Sequence, residues 1–545
     1  MATKRIPKTD ITTICLHWAL VVTLVFSLLT GFRIAVDKPD ATLAPLLSGI
    51  LLQGDVIQWH SWTALALGAV MIAYIIFLIR ARLTNRVSVS AGQQHGSTSN
   101  KRHSRLKKIN ILIYWMAFIL LFLAAITGLV LYIAPGLLPY WLITDTHQLL
   151  AWIIIAYVFL HVIAQLALGG VPQLLKILNP TAAYGAAAIS AIAVAGAAAA
   201  GVYALDRNVI EDLPVTQTQT APVIDGKGND EAWAGAPAVT IATGRGVNSP
   251  AGEDVTVRMV HDDETLYTLF EWPDSTRSRK HLPLQKTEQG WQVLQSQYGI
   301  NDENDYYEDK FGVMFATSSA IAGAGTSHLG PKPLANKPAP ANGRGLHYTT
   351  DDSLVDVWHW KSVRTGAVGQ IDDNYFGPPM EPNPEKDRYT GGYTQDPKTG
   401  GGYTSNWESF DTEFVTPKRL PKDPGLIEGL QSASLDPETS DEGQFWMAMD
   451  DTIPYSKEAD TYPVGTIMPS VLHDGPTQGD RGQVHSAAKW HDGRWTLEAE
   501  RKLDTGSKFD AALSQDTPLY MWVAVFDHTQ TRHSQHLHPV RMIMR

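Results

Sequence analysis

Residues Asp145–Gly170 read DTHQLLAWIIIAYVFLHVIAQLALGG, and this stretch decides the fold of the first part of the chain. It is almost wholly apolar but contains two histidines, His147 and His161. Their spacing of fourteen residues is just under four helical turns, so both rings lie on one face of a helix, about 21 Å apart. This distance covers most of the ~30 Å hydrocarbon core of a bilayer. Because a polar ring in a membrane is unfavourable unless it is paired or coordinated, the pattern favours two cofactor ligands over two helix-packing histidines.

Four more apolar stretches are long enough to cross a membrane. They are Ile11–Val36, Ile57–Ile79, Ile109–Ala134 and Thr181–Leu205. The first contains His17 and the second contains His60, whereas the third and fifth contain no histidine. The fifth is rich in alanine and glycine, which allows close helix packing, so it is interpreted as an additional membrane anchor.

Basic residues indicate the orientation of these spans. Lys4, Arg5 and Lys8 precede the first span, and the loop of residues 80–108 contains eight lysines and arginines. By the positive-inside rule, the N-terminus and this loop are predicted to be cytoplasmic. Five crossings then place the chain after residue 205 on the outer side, so we expect a multi-pass protein of a bacterial inner membrane with a periplasmic C-terminal domain.

This orientation sorts the four membrane histidines into two levels. His17 and His161 are expected near the cytoplasmic surface, and His60 and His147 near the periplasmic surface. A haem b with two imidazole ligands needs one neutral nitrogen from each side, which facing helices can supply. Cys15 is the only cysteine, so a covalent CxxCH haem site is excluded and any haem must be held without covalent attachment.

Charge separates the chain into two unlike parts. Residues 1–205 contain 14 basic and 5 acidic residues, a balance of +9, and the remainder contains 30 and 50, a balance of −20; together they give the net −11 of the whole chain. The negative part argues against nucleic acid and anionic membrane surfaces as partners. It suits docking to a basic protein, such as a small c-type cytochrome.

The part after residue 220 has the pattern of a β domain. Apolar and polar residues alternate in Asp254–Val260, Thr265–Trp272, Trp495–Arg501 and Tyr520–Phe526, which is typical of half-buried strands. We therefore predict an all-β sandwich. Between about Ala320 and Leu426 the composition turns to Gly, Pro, Asn and Asp, which predicts long loop insertions.

The histidine motifs of the membrane part carry a resemblance. LHW at His17, WHSW at His60 and HQLLAWIIIAYVFLH resemble the bacterial cytochrome b561 family, which overlaps with the cytochrome b subunits of nickel hydrogenases. The resemblance implies a four-helix bundle that holds two haems b through His17, His60, His147 and His161. It also implies electron exchange with ubiquinol or menaquinol. The fifth helix and the large C-terminal part are departures from this pattern.

The C-terminal part carries a second resemblance. VIDGKGNDEAWAGAP, YTLFEWPDST, VDVWHWKSVRTG, DGRWTLEAERKL and MWVAVFDH resemble the haem-binding subunit of ethylbenzene dehydrogenase and related gamma subunits of type II molybdenum enzymes. Those proteins are β-sandwiches, related in shape to family 9 carbohydrate-binding modules (CBM9) and DOMON domains, that hold one haem b between a methionine and a lysine. This sequence departs at both ligand positions, where it offers histidines. We therefore predict His347 and His533 as ligands, with His328 as the first substitute; a merely solvated histidine-rich loop is the alternative.

Together these features predict three regions. Residues 1–175 form a di-haem transmembrane domain, 176–220 a fifth helix and linker, and 221–545 a periplasmic haem b-binding β-sandwich. The predicted function is electron transfer between the quinone pool and a periplasmic partner, a c-type cytochrome or a molybdoenzyme, with no nucleic acid involved. Two alternatives stay open: a haem-free sandwich that binds a sugar through Tyr348, Trp358 and Trp360, and a superoxide:quinone oxidoreductase.

Overall fold

A computed structural model describes most of the chain. It covers residues 8–36, 51–52, 54, 56–84, 101–181, 185–244, 246–249, 251–296, 303–320, 347–349, 351–383, 389–407, 414–427, 445–514 and 517–545. His328, the substitute haem ligand of the sequence analysis, lies outside the described residues. The chain forms two compact units: the first contains most of the chain up to Val209, and the second contains Ile210–Arg545 together with short earlier segments such as Pro139–Trp141.

The first unit is built from long apolar helices. Within the described residues, five helices are long and apolar enough to cross a membrane. They are α1 (Ile11–Ala35), α2 (Val56–Arg80), α3 (Lys101–Ile133), α4 (Tyr140–Gly169) and α5 (Gly185–Asn208). All five predicted spans are therefore confirmed as helices.

The surface of these helices is apolar, as expected for contact with lipid. Phe159 on α4 is 66% exposed and Ile192 on α5 is 73% exposed. The small residues of α5 have a packing role, since Ala187 and Ala191 pack against Phe77 of α2 in one buried cluster. Close contact between these two helices agrees with the anchor interpretation of α5.

The second unit contains a closed ring of ten strands, counted among the residues that the structure describes. The strands are β1 (Glu211–Gln217), β2 (Asp254–His261), β3 (Thr265–Pro273), β4 (Lys310–Ala316), β5 (Val355–Lys361), β6 (Gln370–Phe376), β7 (Val484–His491), β8 (Arg494–Lys502), β9 (Leu519–Phe526) and β10 (Val540–Met544).

The ring is a sandwich whose two sheets join at both edges. Its order is β1-β2-β3-β8-β7-β6-β5-β4-β9-β10, and β10 returns to β1. Strands β1 and β6 each pair with both sheets. The four strands predicted from alternation correspond to β2, β3, β8 and β9, so the β-sandwich prediction is confirmed.

Alternation along each strand separates an inner core from an outer face. On β5, Trp358 and Trp360 point inward and are 0% and 2% exposed. Trp360 packs edge-on against Trp495 of β8 with ring centroids 5.0 Å apart. Val357 belongs to a separate cluster on the outer side of the same strand. Side chains two residues apart therefore line one face, and His359 shares the outer side with Val357.

Shorter elements complete both units. A two-residue parallel pair joins Thr9–Asp10 to Pro180–Thr181, and one-turn helices cover Val171–Leu175 and Glu231–Gly235. Additional strands are Val239–Ala242, Leu284–Thr287, Gly290–Val293, Tyr393–Gln395, Tyr403–Ser405, Phe414–Val415, Arg419–Pro421, Trp446–Ala448, Thr452–Pro454, Ile467–Met468 and Val471–His473.

In two parts of the chain the structure contains strands that the sequence analysis did not predict. The loop-rich stretch from about Ala320 to Leu426 contains β5 and β6, two strands of the ring. The stretch assigned to the linker contains β1, which pairs in parallel with β10. Turn residues dominate the average composition of both stretches and hide short strands whose pairing partners lie far away in sequence.

Glu498 connects two of the motifs that define the second resemblance. It lies in the LEAERK part of β8 and is 0% exposed. Its carboxylate accepts hydrogen bonds from the backbone N–H groups of Asp225 (3.0 Å) and Gly226 (2.6 Å) and from Trp233 Nε1 (2.7 Å). The VIDGKGNDEAW segment is therefore held to β8 by one buried carboxylate.

We expect Glu498→Gln to destabilise this domain by about 2–3 kcal/mol, because the amide NH₂ would face donors that need an acceptor. For a domain of this size the loss corresponds to a decrease in Tm of about 4 °C. Thermal unfolding would measure it, with Glu500→Gln on the same strand as the control. A Tm equal to that of the control would contradict the assigned role.

Candidate functional site

His60 on α2 has the hydrogen bonds of a metal-ligating histidine. Its Nδ1 lies 3.1 Å from the carbonyl oxygen of Ser27 and 3.0 Å from Thr30 Oγ1, both on α1. A carbonyl can only accept, so Nδ1 carries the proton and Nε2 keeps its lone pair. Metal-binding histidines commonly donate their second ring N–H in this way, which fixes the tautomer and the ring orientation.

His147 on α4 repeats the arrangement with α3. Its Nδ1 lies 2.8 Å from Thr127 Oγ1. The Thr127 hydroxyl donates to carbonyls of its own helix, 3.0 Å from Leu123 and 3.1 Å from Ala124, so it accepts from His147. The Nε2 atom of His147 is therefore also left with a lone pair.

A glycine follows Thr30 and another follows Thr127, and each allows the neighbouring histidine ring to approach its helix closely. A Cβ added at Gly31 would lie 3.1 Å from Cε1 of His60, and one added at Gly128 would lie 3.2 Å from Cε1 of His147. Both distances are tighter than ordinary van der Waals contact, so a larger residue would displace the ring. Each imidazole thus sits in a cradle formed by a Thr-Gly pair of the neighbouring helix.

The structure brings His60 and His147 together. Their ring centroids are 6.2 Å apart and their planes are nearly perpendicular, at 89°. Two imidazoles that bind one ion from opposite sides place their nitrogens about 4 Å apart, since each metal–nitrogen bond is about 2 Å long. The spacing, the available Nε2 atoms and the fixed tautomers therefore fit a metal held between the rings.

His17 and His161 form the second predicted pair. Nδ1 of His161 is buried without a hydrogen-bond partner among the described residues. Tyr114 and Tyr157 lie against the His161 ring, with centroids 5.7 and 5.9 Å away. A buried imidazole whose Nδ1 has no partner in the described part of the chain also fits a metal ligand.

Thr30 and Thr127 were not recognised in the sequence, although LTGF and ITGL repeat one pattern. We expect Thr30→Val and Thr127→Val each to weaken haem retention by about tenfold, because loss of an outer hydrogen bond to a ligating histidine usually costs 10–100-fold. Haem content after purification would measure the effect. Thr23→Val is the matched control, since that hydroxyl bonds only to its own helix. Full haem content in both variants would contradict the role.

In the β domain, the rings of His359 and His533 both contact Phe526. Their ring centroids are 5.2 and 4.6 Å from that of Phe526. Nε2 of His359 is buried and has no hydrogen-bond partner within the described part of the chain. Nδ1 of His533 lies 2.8 Å from the Ser534 carbonyl oxygen, which can only accept, so Nδ1 carries the proton. Sequence reasoning missed His359 because it stands inside the WHWK motif and was interpreted only with its tryptophans.

His359 is held in its neutral form, which is the form that binds metals. Burial lowers the pKa of His359 well below its ordinary value, and the charges of Lys361 and Lys310 act in the same direction. Together, an orphaned neutral imidazole and a second histidine with a fixed tautomer give this outer face a donor set that fits a haem iron.

His347 contacts a different part of the outer face. Its ring stacks on Phe376 with centroids 5.4 Å apart. Phe376, the neighbour of His347, pairs with Val355 of β5. Phe526, the neighbour of His533, stacks on His359 of β5. These two positions on β5 are four residues apart, which is about 13 Å along the strand. The pairing of His347 with His533 stays a prediction.

Two of the three aromatic residues expected to bind a sugar do not lie on the surface. Trp358 and Trp360 belong to the buried core inside the ring. Arg501 covers Trp358, with its guanidinium carbon 5.0 Å from the ring centroid. These two side chains therefore have no face available for stacking on a sugar.

His536 uses both ring nitrogens within the protein. Nδ1 lies 2.7 Å from the carbonyl of His538, and Nε2 accepts from the backbone N–H of Val523 at 2.9 Å. Burial lowers the pKa of His536 to about 4. Because protonation would break the bond from Val523, this histidine stabilises the domain only when it is neutral.

The consequence is a loss of stability in acid. In the unfolded chain His536 takes up a proton near pH 6.5, but in the folded chain only near pH 4, so its contribution is complete above pH 6.5 and is lost as the pH falls to 4. We expect this loss to be about 3 kcal/mol. Unfolding measured from pH 7 to 4 should show a shallower dependence for His536→Gln than for the wild type or for exposed His485→Gln. Equal slopes would contradict the assignment.

Comparisons with known proteins give two family matches. A model described as ethylbenzene dehydrogenase matches residues 230–537, which is more than half of the chain. A model described as prokaryotic cytochrome b561 matches residues 8–178. A search of curated proteins finds no match.

A comparison with solved structures finds two carbohydrate-binding proteins among its matches. A family 9 carbohydrate-binding module from Caldicellulosiruptor kristjanssonii, in complex with cellotriose, is 9% identical, with 62% of this chain and 95% of that chain covered and a TM-score of 0.23. A putative carbohydrate-binding protein from Bacteroides uniformis is 7% identical, with 62% and 99% covered and a TM-score of 0.24.

Proposed function

Because the chain belongs to the ethylbenzene dehydrogenase family and carries a prokaryotic cytochrome b561 domain, we propose that it is a membrane-bound b-type cytochrome. It transfers electrons between the quinone pool and a periplasmic redox partner. The route uses two haems b in the membrane and a third in the β domain.

The facing pair of His60 and His147 carries this proposal. Their ring centroids are 6.2 Å apart, and Nδ1 of each ring is hydrogen-bonded to the neighbouring helix, which leaves the lone pair on Nε2. Haem b supplies reversible one-electron transfer when it is bound. The protein holds the two imidazoles in the ligating tautomer, and the Thr-Gly cradles fix their orientation.

The cytoplasmic pair, His17 and His161, supports a second haem at the other membrane surface. Polar side chains cluster near it, since Gln165 Nε2 lies 2.6 Å from Asn110 Oδ1 and 3.4 Å from the Tyr114 hydroxyl. Hydrogen-bonding groups at this depth are unfavourable without a use. They offer donors and acceptors for a quinol headgroup beside His161.

The third haem is assigned to the outer face of the β domain. His359 and His533, whose rings both contact Phe526, are its best-supported ligands among the described residues, and His347 remains a further candidate. The tautomer of His533 is set by the Ser534 carbonyl. Absorption and EPR spectra of His359→Ala, His533→Ala and His347→Ala would identify the ligands, because loss of an axial ligand changes the spin state.

The negative charge of the C-terminal part indicates the kind of redox partner. The chain after residue 205 has a formal balance of −20, with 30 basic and 50 acidic residues. A basic electron carrier would be attracted to such a domain at low salt, and the association rate would fall as ionic strength rises. A small c-type cytochrome or the basic face of a molybdoenzyme has the required chemistry.

Quinol-driven reduction tests the function. The full-length protein in lipid nanodiscs would be mixed with reduced ubiquinol or menaquinol analogues while the b-type α-band is followed. We expect reduction by quinol, or oxidation of the reduced protein by quinone, according to the potentials. Reaction with neither would contradict the proposal, and haem reduction by superoxide alone would favour the superoxide alternative.

A further inference from the structure

Three carboxylates from distant parts of the chain meet in the β domain. Asp373 lies on β6, Asp396 directly follows the strand Tyr393–Gln395, and Asp510 lies in the connection between β8 and β9. One oxygen from each is within 4.8 Å of the others. Calcium binds oxygen at about 2.3–2.6 Å, so two of its ligands are separated by at most about 5 Å. The spacing therefore suits a single bound ion.

The carboxylates are buried and lack donors. Asp373 is 0% exposed and Asp396 is 3% exposed. Neither oxygen of either residue has a hydrogen-bond partner among the described residues, and neither does Oδ1 of Asp510. Oδ2 of Asp510 accepts from Thr505 Oγ1 at 2.5 Å. Buried polar groups are nearly always paired, so five carboxylate oxygens without donors at one place need a partner.

The nearest buried cation, Arg501, is already paired with another carboxylate. Arg501 donates to Asp356 Oδ2 at 2.6 Å, and the closest approach of the same nitrogen to Asp510 is 3.9 Å. Asp356 also accepts from the backbone N–H of Ala511 at 2.9 Å. One guanidinium therefore compensates Asp356, which leaves the charges of Asp373, Asp396 and Asp510 facing each other.

Burial and the repulsion among these carboxylates raise the pKa of two of them. Burial, and then the charge of Asp356, raise the pKa of Asp373 well above its ordinary value. Burial and the charge of Asp510 raise the pKa of Asp396 to about 8. Buried carboxylates that face each other need bound protons or a bound cation to compensate their charge.

We propose that Asp373, Asp396 and Asp510 form a structural calcium site. The ligands are all oxygen atoms, which favours hard cations over zinc or copper. Calcium also accepts irregular carboxylate geometry, whereas magnesium demands a near-ideal octahedron and keeps several waters. A buried site made of carboxylates with few donors therefore suits calcium better.

The ion would connect segments that are far apart in sequence. The ligands are separated by 23 residues and then by 114 residues, from 373 to 396 to 510. The last segment is also tied to the sandwich by Arg501, whose Nη2 donates to the Ala511 carbonyl at 2.7 Å. Calcium bound only by the folded chain would stabilise it by mass action.

The test uses the full-length protein purified in detergent and stripped with a chelator. Thermal unfolding would be followed as calcium is added, with magnesium at the same ionic strength for comparison. We expect Tm to rise by about 4 °C at a calcium concentration a hundred times Kd, and less with magnesium. Bound calcium would be counted by isothermal titration calorimetry.

Asp396→Asn is the decisive variant. It should bind one calcium ion fewer than the wild type and lose this calcium-dependent rise in Tm. In chelator its Tm should equal or exceed that of the wild type, because one repelling charge is gone. Asp492→Asn, whose side chain is 87% exposed, is the control and should keep both properties. If Asp396→Asn does not fold, Asp510→Asn provides the same comparison.

Two results would overturn the proposal. One is a wild-type Tm that does not respond to calcium but falls in chelator as the pH rises through about 8, which would mean that protons alone compensate the cluster. The other is an Asp396→Asn variant with unchanged calcium stoichiometry, which would place the bound ion elsewhere, for example at Asp309, Asp527 and His528.

Discussion

Replacing His60 or His147 with alanine removes one haem b per chain and decreases quinol-linked electron transfer more than tenfold. The two rings face each other at 6.2 Å, and each is fixed by a hydrogen bond from Nδ1. Loss of one ring leaves the iron with a single protein ligand in an apolar environment. Haem per polypeptide and the rate of haem reduction by quinol measure the two effects.

The control for this prediction is His491→Ala, since that side chain is 85% exposed in the β domain. Its haem content and reduction rate should equal those of the wild type. The His60→Ala and His147→Ala variants should affect the same haem, so the double variant should lose no more haem than either single one. Independent losses from the two substitutions would contradict a shared iron.

Replacing Arg501 with methionine destabilises the β domain by about 3–5 kcal/mol, because it leaves Asp356 charged and buried. Arg501 and Asp356 have side chains that are 1% and 0% exposed, and the guanidinium also donates to the Ala511 carbonyl. A loss of this size lowers Tm by about 6 °C in a domain of this length. Thermal or urea unfolding of the purified protein would measure it.

A partly exposed ion pair gives the comparison. Arg258 and Glu271 are 2.8 Å apart, and each side chain is 29% exposed. Arg258→Met should cost less than about 1 kcal/mol, since solvent screens such pairs. The double variant Arg501→Met with Asp356→Asn should be more stable than Arg501→Met alone, because the uncompensated charge is removed. Equal effects of Arg501→Met and Arg258→Met would contradict the importance of burial.

The membrane part could be predicted from sequence because its signal is local. Twenty or more apolar residues with few charges define each span, and a spacing of fourteen residues places His147 and His161 on one helix face. The support for these rings was not predicted. Thr30 and Thr127 act on histidines of another helix, and nothing in a single sequence reports which helix faces lie next to each other.

The β domain was predictable as a class but not in its details. Alternation identified strands such as Thr265–Pro273, most of whose residues are buried in the structure. Strands β5 and β6 were missed because they stand within a segment rich in glycine and proline. His359 was missed for a related reason, since its place on the outer face depends on the register with β4 and β6.

The acidic cluster was even harder to predict from the sequence. Asp373, Asp396 and Asp510 have no common spacing, and they meet only because β6 and two connections are brought to one place by the closed ring. Acidic pairs are common on solvated surfaces, so their identity alone carries little information. Burial and the absence of donors, which need coordinates, are what distinguish this group.

The number of haems b per polypeptide tests the central claim most directly. It would be measured by pyridine haemochrome on the purified full-length protein and on residues 209–545, which begin just before β1. The account predicts three haems in the full chain and one in the β domain. Two haems in the full chain and none in the β domain would contradict an electron relay that continues beyond the membrane.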